Sequence, residues 1–237
     1  MNASSSMSFA ARLQKAIDVL TLLLGFSGFN PPAGFALDKF KELLDKVTIV
    51  NNEALAKEQA YRKAVAVRAA MFRTDSESVL MKVTRISNAV VAAYGRNSHP
   101  HNMMRDLARR LRVIRVVSKP ADPASTTNTE EKRVTISDSG YGAMLGQYRN
   151  IVEAIKTFPD WETNMPDFKF ADLDKAVADA QKANNDVMDA YGARSAVFKQ
   201  RHDLYVQQRI FVQRLKGYVK SRYGSSREFD LVKSVRL

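Results

Sequence analysis

Residues 170–205 read FADLDKAVADAQKANNDVMDAYGARSAVFKQRHDLY, and residues 37–72 read LDKFKELLDKVTIVNNEALAKEQAYRKAVAVRAAMF. In the later stretch, positions 170, 173, 177, 180, 184, 187, 191, 194, 198, 201 and 205 alternate steps of three and four. Side chains so spaced share one face of an α-helix, and a stripe this long has a coiled-coil character. One helix of about 35 residues is therefore expected. The earlier stretch carries the same pattern: Leu37, Phe40, Leu44, Val47, Asn51, Ala54, Val65, Arg68 and Phe72 fall on Phe170, Leu173, Val177, Ala180, Asn184, Val187, Phe198, Arg201 and Tyr205.

Working outward, the match continues on both sides. Upstream, Phe9, Leu13, Leu20, Leu23 and Phe26 fall on Tyr141, Leu145, Val152, Ile155 and Phe158. Downstream, after a four-residue difference near Thr74 to Glu77, Val83, Arg85, Ile86, Val90 and Tyr94-Gly95 fall on Val212, Arg214, Leu215, Val219 and Tyr223-Gly224. Self-similarity at this length marks a repeated structural unit. Each copy reads as a shorter helix (8–26, 139–157), the long helix, and a third helix (78–94, 207–222). Pro31-Pro32, and Pro159 with Pro166, separate the first helix from the second. Tyr94-Gly95 and Tyr223-Gly224 read as helix ends in which Gly takes a left-handed turn, followed by a fresh helix start at Ser98 or Ser225.

The expected fold is all-α: a helical bundle of two pseudo-symmetric three-helix units with long coiled-coil-like helices. Residues 1–117 form the first repeat and 138–237 the second. Between them, 118–137 is rich in Ser, Thr and Pro, ends in Glu130-Glu131-Lys132-Arg133, and reads as a solvated linker.

The Arg-x-x-x-Phe/Tyr pattern at Arg68 and Arg201, the Asn pairs upstream (Asn51-Asn52, Asn184-Asn185) and the stretch Tyr223 to Glu228 resemble a group of uncharacterised bacterial two-repeat helical proteins. The resemblance covers most of 134–237 and, more loosely, the first half, where His99-Pro100-His101 replaces the Arg227-Glu228 of the second copy. It implies a helical fold and no particular chemistry.

Composition narrows the function. The 237 residues carry 45% apolar side chains, enough for a sizeable core, and no Cys. Disulfides, thiolate zinc sites and a cysteine nucleophile are excluded, and a cytoplasmic location is expected. The apolar run Ala16 to Phe29 is interrupted by Asp18 and ends at Asn30-Pro31-Pro32, too short to span a bilayer; no small-x-small cleavage site follows it. Thirty-seven Lys and Arg oppose 25 Asp and Glu, a net charge of +12, which attracts polyanions. The basic excess concentrates in 35–118, whereas acidic side chains outnumber basic ones in 119–166.

Motifs for catalysis fail on inspection. His99 and His101 flank Pro100 without a third ligand at helical spacing, so no metal site is expected. Gly140 to Gly146 matches neither phosphate-loop pattern, and Gly25-Phe26-Ser27-Gly28 falls short of a nucleophile elbow. Asp167, Asp172, Asp174 and Asp179 lie along the start of a long helix, where negative charge favours the helix dipole. No enzyme activity and no cofactor are expected. Two polar features remain. Asn51, Asn184, Arg68 and Arg201 interrupt the apolar stripe, where polar residues fix helix register or, alternatively, line a pocket. Between Met103 and Val117, a basic amphipathic helix is expected, with Met104, Leu107, Leu111 and Ile114 on one face. Arg105, Arg109 and Arg112 lie on another, with Arg110 and Arg115 beside them. The functional expectation is a non-catalytic helical interaction or structural module, self-associating or engaging a protein partner. The alternative is binding of nucleic acid or another polyanion through Arg105–Arg115 together with Arg209–Arg236.

Overall fold

The computed structural model describes residues 8–112, 115–117, 134–136 and 140–235. It is all-α apart from one short ladder. The helices are α1 (Phe9–Leu24), α2 (Leu37–Ala69), α3 (Val79–Tyr94), α4 (His99–Arg112), α5 (Tyr141–Lys156), α6 (Trp161–Asn164), α7 (Phe170–Tyr223) and α8 (Arg227–Ser234). Strands β1 (Arg115–Val117) and β2 (Val134–Ile136) pair antiparallel, Arg115 opposite Ile136 and Val117 opposite Val134. This ladder corrects two expectations. The basic helix ends at Arg112 rather than Val117, so Arg115 lies on β1. Val134–Ile136, placed in the linker, forms a strand; β-branched Val116, Val117, Val134, Thr135 and Ile136 favour it.

The helix boundaries follow local chemistry. Ser8 caps α1, its Oγ accepting the Ala11 N–H at 3.2 Å. Pro31-Pro32 and a short 3-10 turn at Ala33–Phe35 stand before α2. Gly95, at φ 81° and ψ 163°, ends α3 while its N–H bonds to the Val91 carbonyl. That backbone region is all but closed to residues with a Cβ, and it differs from the left-handed turn expected. Gly224 (φ 61°) closes α7 through the Lys220 carbonyl.

The largest departure from expectation is in α7. It runs unbroken for 54 residues, about 80 Å at 1.5 Å per residue, merging the second and third helices expected of that half. In the first half the chain breaks at the same place. A π-helical turn at Ala70–Thr74 leads to Asp75 in extended conformation, and Ser78 then starts α3. The four extra residues Thr74–Glu77 supply this break.

The chain divides into two compact units, one formed by residues up to Tyr61 and from Ala190 onward, the other by Arg62–Asp189. The units do not coincide with the halves of the sequence, because α2 and α7 each contribute to both. In the first unit, Ala16, Val19, Leu20 and Leu23 of α1 pack with Phe40 and Leu44 of α2, Val212, Leu215 and Val219 of α7, and Val232 of α8. In the second, Val79, Val83, Ile86 and Val90 of α3 and Met104 and Ala108 of α4 meet Met144, Tyr148, Ile151 and Ile155 of α5 and Leu173, Ala176 and Ala180 of α7. Each fully buried Leu, Ile or Phe contributes about 1.5–3 kcal/mol, which outweighs the small differences in intrinsic helix propensity. Trp161 is buried, its indole N–H donating to the Phe168 carbonyl at 2.8 Å. No described helix is long and apolar enough to cross a membrane.

Candidate functional site

The polar residues of the stripe occupy two stations, one in each unit. In the first unit, Asn51 Nδ2 donates to the Tyr205 hydroxyl at 2.8 Å, and that hydroxyl donates to the Phe9 carbonyl at 2.7 Å. Burial raises the Tyr205 hydroxyl above its ordinary pKa, partly offset by the Asn51 hydrogen bond. The Arg201 guanidinium lies 4.2 Å from the centre of the Phe9 ring and 4.5 Å from that of Phe198. In the second unit, Arg68 lies 4.3 Å from the Tyr141 ring centre and its Nη1 donates to Asn184 Oδ1 at 3.4 Å. The Nε of both arginines is buried without a hydrogen-bond partner among the described residues. Among the described residues both lie against aromatic faces, which attract cations electrostatically, and Arg68 adds the Asn184 amide. Phe9 and Tyr141 were legible as matched residues; their role as platforms was not.

These stations join helices. In the first unit the α2–α7 pairing is antiparallel, since Asn51 meets Tyr205 and Glu58 pairs with Arg194 farther along, where Tyr61 packs on Tyr191. The grooves lined by residues of α3, α4 and α7, and by residues of α2 and α7, involve none of these four polar residues.

The basic helix α4 is organised differently. Its apolar side is built into the core of the second unit: Met104 is 1% exposed, Ala108 is buried, and Leu107 and Leu111 pack against the same cluster. Arg105, Arg109 and Arg110 are exposed on the outside. The backbone of Arg112 is helical; Ile114 lies outside the described residues. Arg105 and Arg109, four residues apart, share a side of the helix and line a groove of about 380 Å³ between α3 and α4. Ser87, Asn88 and Val91 of α3 and His101, Met104 and Ala108 of α4 complete it. Arg110 is about 100° farther round the helix and does not line the groove. Arg105 makes one loose ion pair, 3.8 Å to exposed Asp106.

No family model, curated protein or solved structure matches the chain. The assignment of function therefore rests on the geometry. His99 is exposed, His101 half-buried and His202 exposed. His101 Nδ1 accepts the Asn97 N–H at 3.0 Å, so that nitrogen is not free to bind a metal. Among the described residues, no three His, Asp or Glu side chains cluster as metal ligands. The structure brings Asn88 and His101 beside Arg105 and Arg109, a neighbourhood the hydrophobic period does not announce because it leaves open which side of α4 meets α3.

In the second basic region three cations stand beside aromatic rings. Arg214 lies 4.6 Å from the Phe35 ring centre, Arg222 5.8 Å from Tyr223, and Lys233 5.8 Å from Phe229. Arg222 is further held by the Tyr218 hydroxyl. Arg236 lies outside the described residues. Arg209, Arg214, Lys220, Arg222, Arg227 and Lys233 are all exposed, as Arg105, Arg109 and Arg110 of α4 are.

Proposed function

We propose that this chain is a non-catalytic helical interaction module that binds a polyanion through the outer face of α4. The observation that carries this reading is the division of labour on one helix: the apolar side of α4 is committed to the core while Arg105, Arg109 and Arg110 remain exposed. A basic amphipathic helix that serves a membrane must offer its apolar side to lipid. Here that side is taken by the protein. What remains is a rigidly mounted row of guanidiniums, the arrangement that neutralises phosphates on a nucleic-acid backbone. The net charge of +12 adds long-range attraction.

Within α2 of the first unit, self-association finds little support. The large exposed apolar residues of α2 in the first unit, Ile49 and Leu55, are 64% and 59% exposed. Six residues apart, they project about 120° from each other and make no continuous stripe.

The two stations support a finer reading of the fold. Arg201 on Phe9 and Arg68 on Tyr141 are the same contact at matched positions of the two repeats, and each joins the first helix of one repeat to the long helix of the other. We infer a duplicated unit whose copies exchange their first helices.

The functional test is a salt titration of RNA and DNA binding. Neutralising Arg105, Arg109 and Arg110 together should remove about three phosphate contacts and lower the slope of log K against log salt by roughly two to three units. Far-ultraviolet circular dichroism should be unchanged. If the parent binds neither nucleic acid at low salt, or the triple variant binds as the parent does, the reading is wrong.

A further inference from the structure

We propose that the groove between α3 and α4 seats a single phosphate of the bound nucleic-acid backbone, gripped by His101, Arg105 and Arg109 from α4 and by Asn88 from α3. The inference rests on the α4 reading above and goes beyond it by naming a defined seat. Four features of the groove carry it.

First, its donors converge from two helices. Arg105 and Arg109 stand about 6 Å apart along the α4 axis, close enough for both guanidiniums to reach one anion. Asn88 brings an amide from α3. Second, the state of His101 follows from its hydrogen bond. With Nδ1 accepting the Asn97 N–H, the neutral ring carries its proton on Nε2, so the ring supplies a donor rather than an acceptor. Third, nothing in the lining carries negative charge. The Ser87 hydroxyl donates to the Val83 carbonyl at 2.8 Å and adds no negative charge. No carboxylate lines the groove.

Fourth, two guanidiniums at i and i+4 repel each other, and the loose 3.8 Å pair with Asp106 offsets little of that in water. An anion placed between them removes the repulsion. The rest of the lining, Val91, Met104 and Ala108, is apolar, and no Phe, Tyr or Trp offers a base a broad surface on which to stack. The seat therefore reads the backbone and not the base, and binding should be indifferent to sequence. Arg110 beyond the groove favours a chain of phosphates over one free phosphate ion.

The test uses the full chain and a fluorescein-labelled single-stranded RNA of mixed sequence, followed by anisotropy at low salt. Asn88→Glu places a carboxylate in the groove without touching α4, and Asn52→Glu makes the same charge change on the exposed side of α2. Asn88→Glu should weaken binding at least tenfold, as should Arg105→Gln with Arg109→Gln. Asn52→Glu should change it less than threefold. Asn88→Lys should tighten binding, an opposite effect that a folding defect cannot imitate. If Asn88→Glu does no more than Asn52→Glu while every Arg substitution weakens binding equally, the phosphates lie on the outer face. The seat is then wrong and the α4 reading survives. If the parent ignores RNA, or binds vesicles rich in anionic lipid instead, both proposals fall.

Discussion

At the scale of the residue, the buried polar groups are the places where chemistry overrides pattern. Arg68 and Arg201 interrupt an apolar stripe, and the sequence marks them as unusual without saying what receives them. The structure supplies aromatic faces. A guanidinium desolvated against a ring contributes about 2 kcal/mol, and its methylenes add packing. Arg201→Ala and Arg68→Ala should each lower the unfolding free energy by about 2 kcal/mol in urea titrations, with Lys recovering only part because it lacks the planar stack. A loss under about half a kcal/mol at both sites would mark them as surface residues. Tyr148 presents the opposite case. Its hydroxyl is buried without a partner among the described residues, and burial pushes its pKa up to about 12. The unfolded chain releases that proton near pH 10 while the folded chain keeps it, so the unfolded state binds fewer protons between the two values. Stability should therefore fall by roughly 2–3 kcal/mol as the pH rises from 10 to about 12. Tyr148→Phe should remove that part of the alkaline loss and cost little at neutral pH, since no hydrogen bond is broken. Urea midpoints of the two proteins should thus diverge only above pH 10; parallel curves throughout would contradict it.

At the scale of the element, periodicity was a good guide to existence and a poor one to endings. The stripes over 37–72 and 170–205 announced the long helices, and Pro31-Pro32 and the two Tyr-Gly pairs announced boundaries, because capping and proline chemistry are local. The fusion in α7 was not legible. Nothing at Tyr205–Gln207 stops a helix, yet the match to the first half suggested a break, and that break belongs to Thr74–Glu77 alone. The end of α4 was misjudged for a related reason. Val113, Ile114, Val116 and Val117 extend the apolar phase of the helix, but β-branched residues serve a strand at least as well, and β2 lies 16 residues beyond β1 to pair with it. The cationic residues of α4 were legible from spacing; the groove beside them was not, because it depends on which helix α4 meets.

At the scale of the whole molecule, the two compact units are joined by α2 and α7, and the midpoint of α7 offers a handle on how they share stability. Gly192 lies in the uninterrupted helix close to the division between units, is exposed, and has open space where a Cβ would stand. A glycine there weakens the helix by about 0.5–1 kcal/mol relative to alanine. Gly192→Ala should therefore raise stability by that amount. Gly192→Pro removes the hydrogen bond to the preceding turn and sets the ring against a carbonyl, at about 3 kcal/mol or more. The readout separates the units, because the single tryptophan, Trp161, belongs to the second and reports on it alone, whereas helical circular dichroism reports on both. If continuous helices couple the units, the two probes should trace one coincident urea transition in the parent and in Gly192→Ala. In Gly192→Pro they should part, the tryptophan following the second unit while the dichroism shows an additional step. Separate transitions in the parent would show that the units unfold independently and that the unbroken helices transmit no cooperativity.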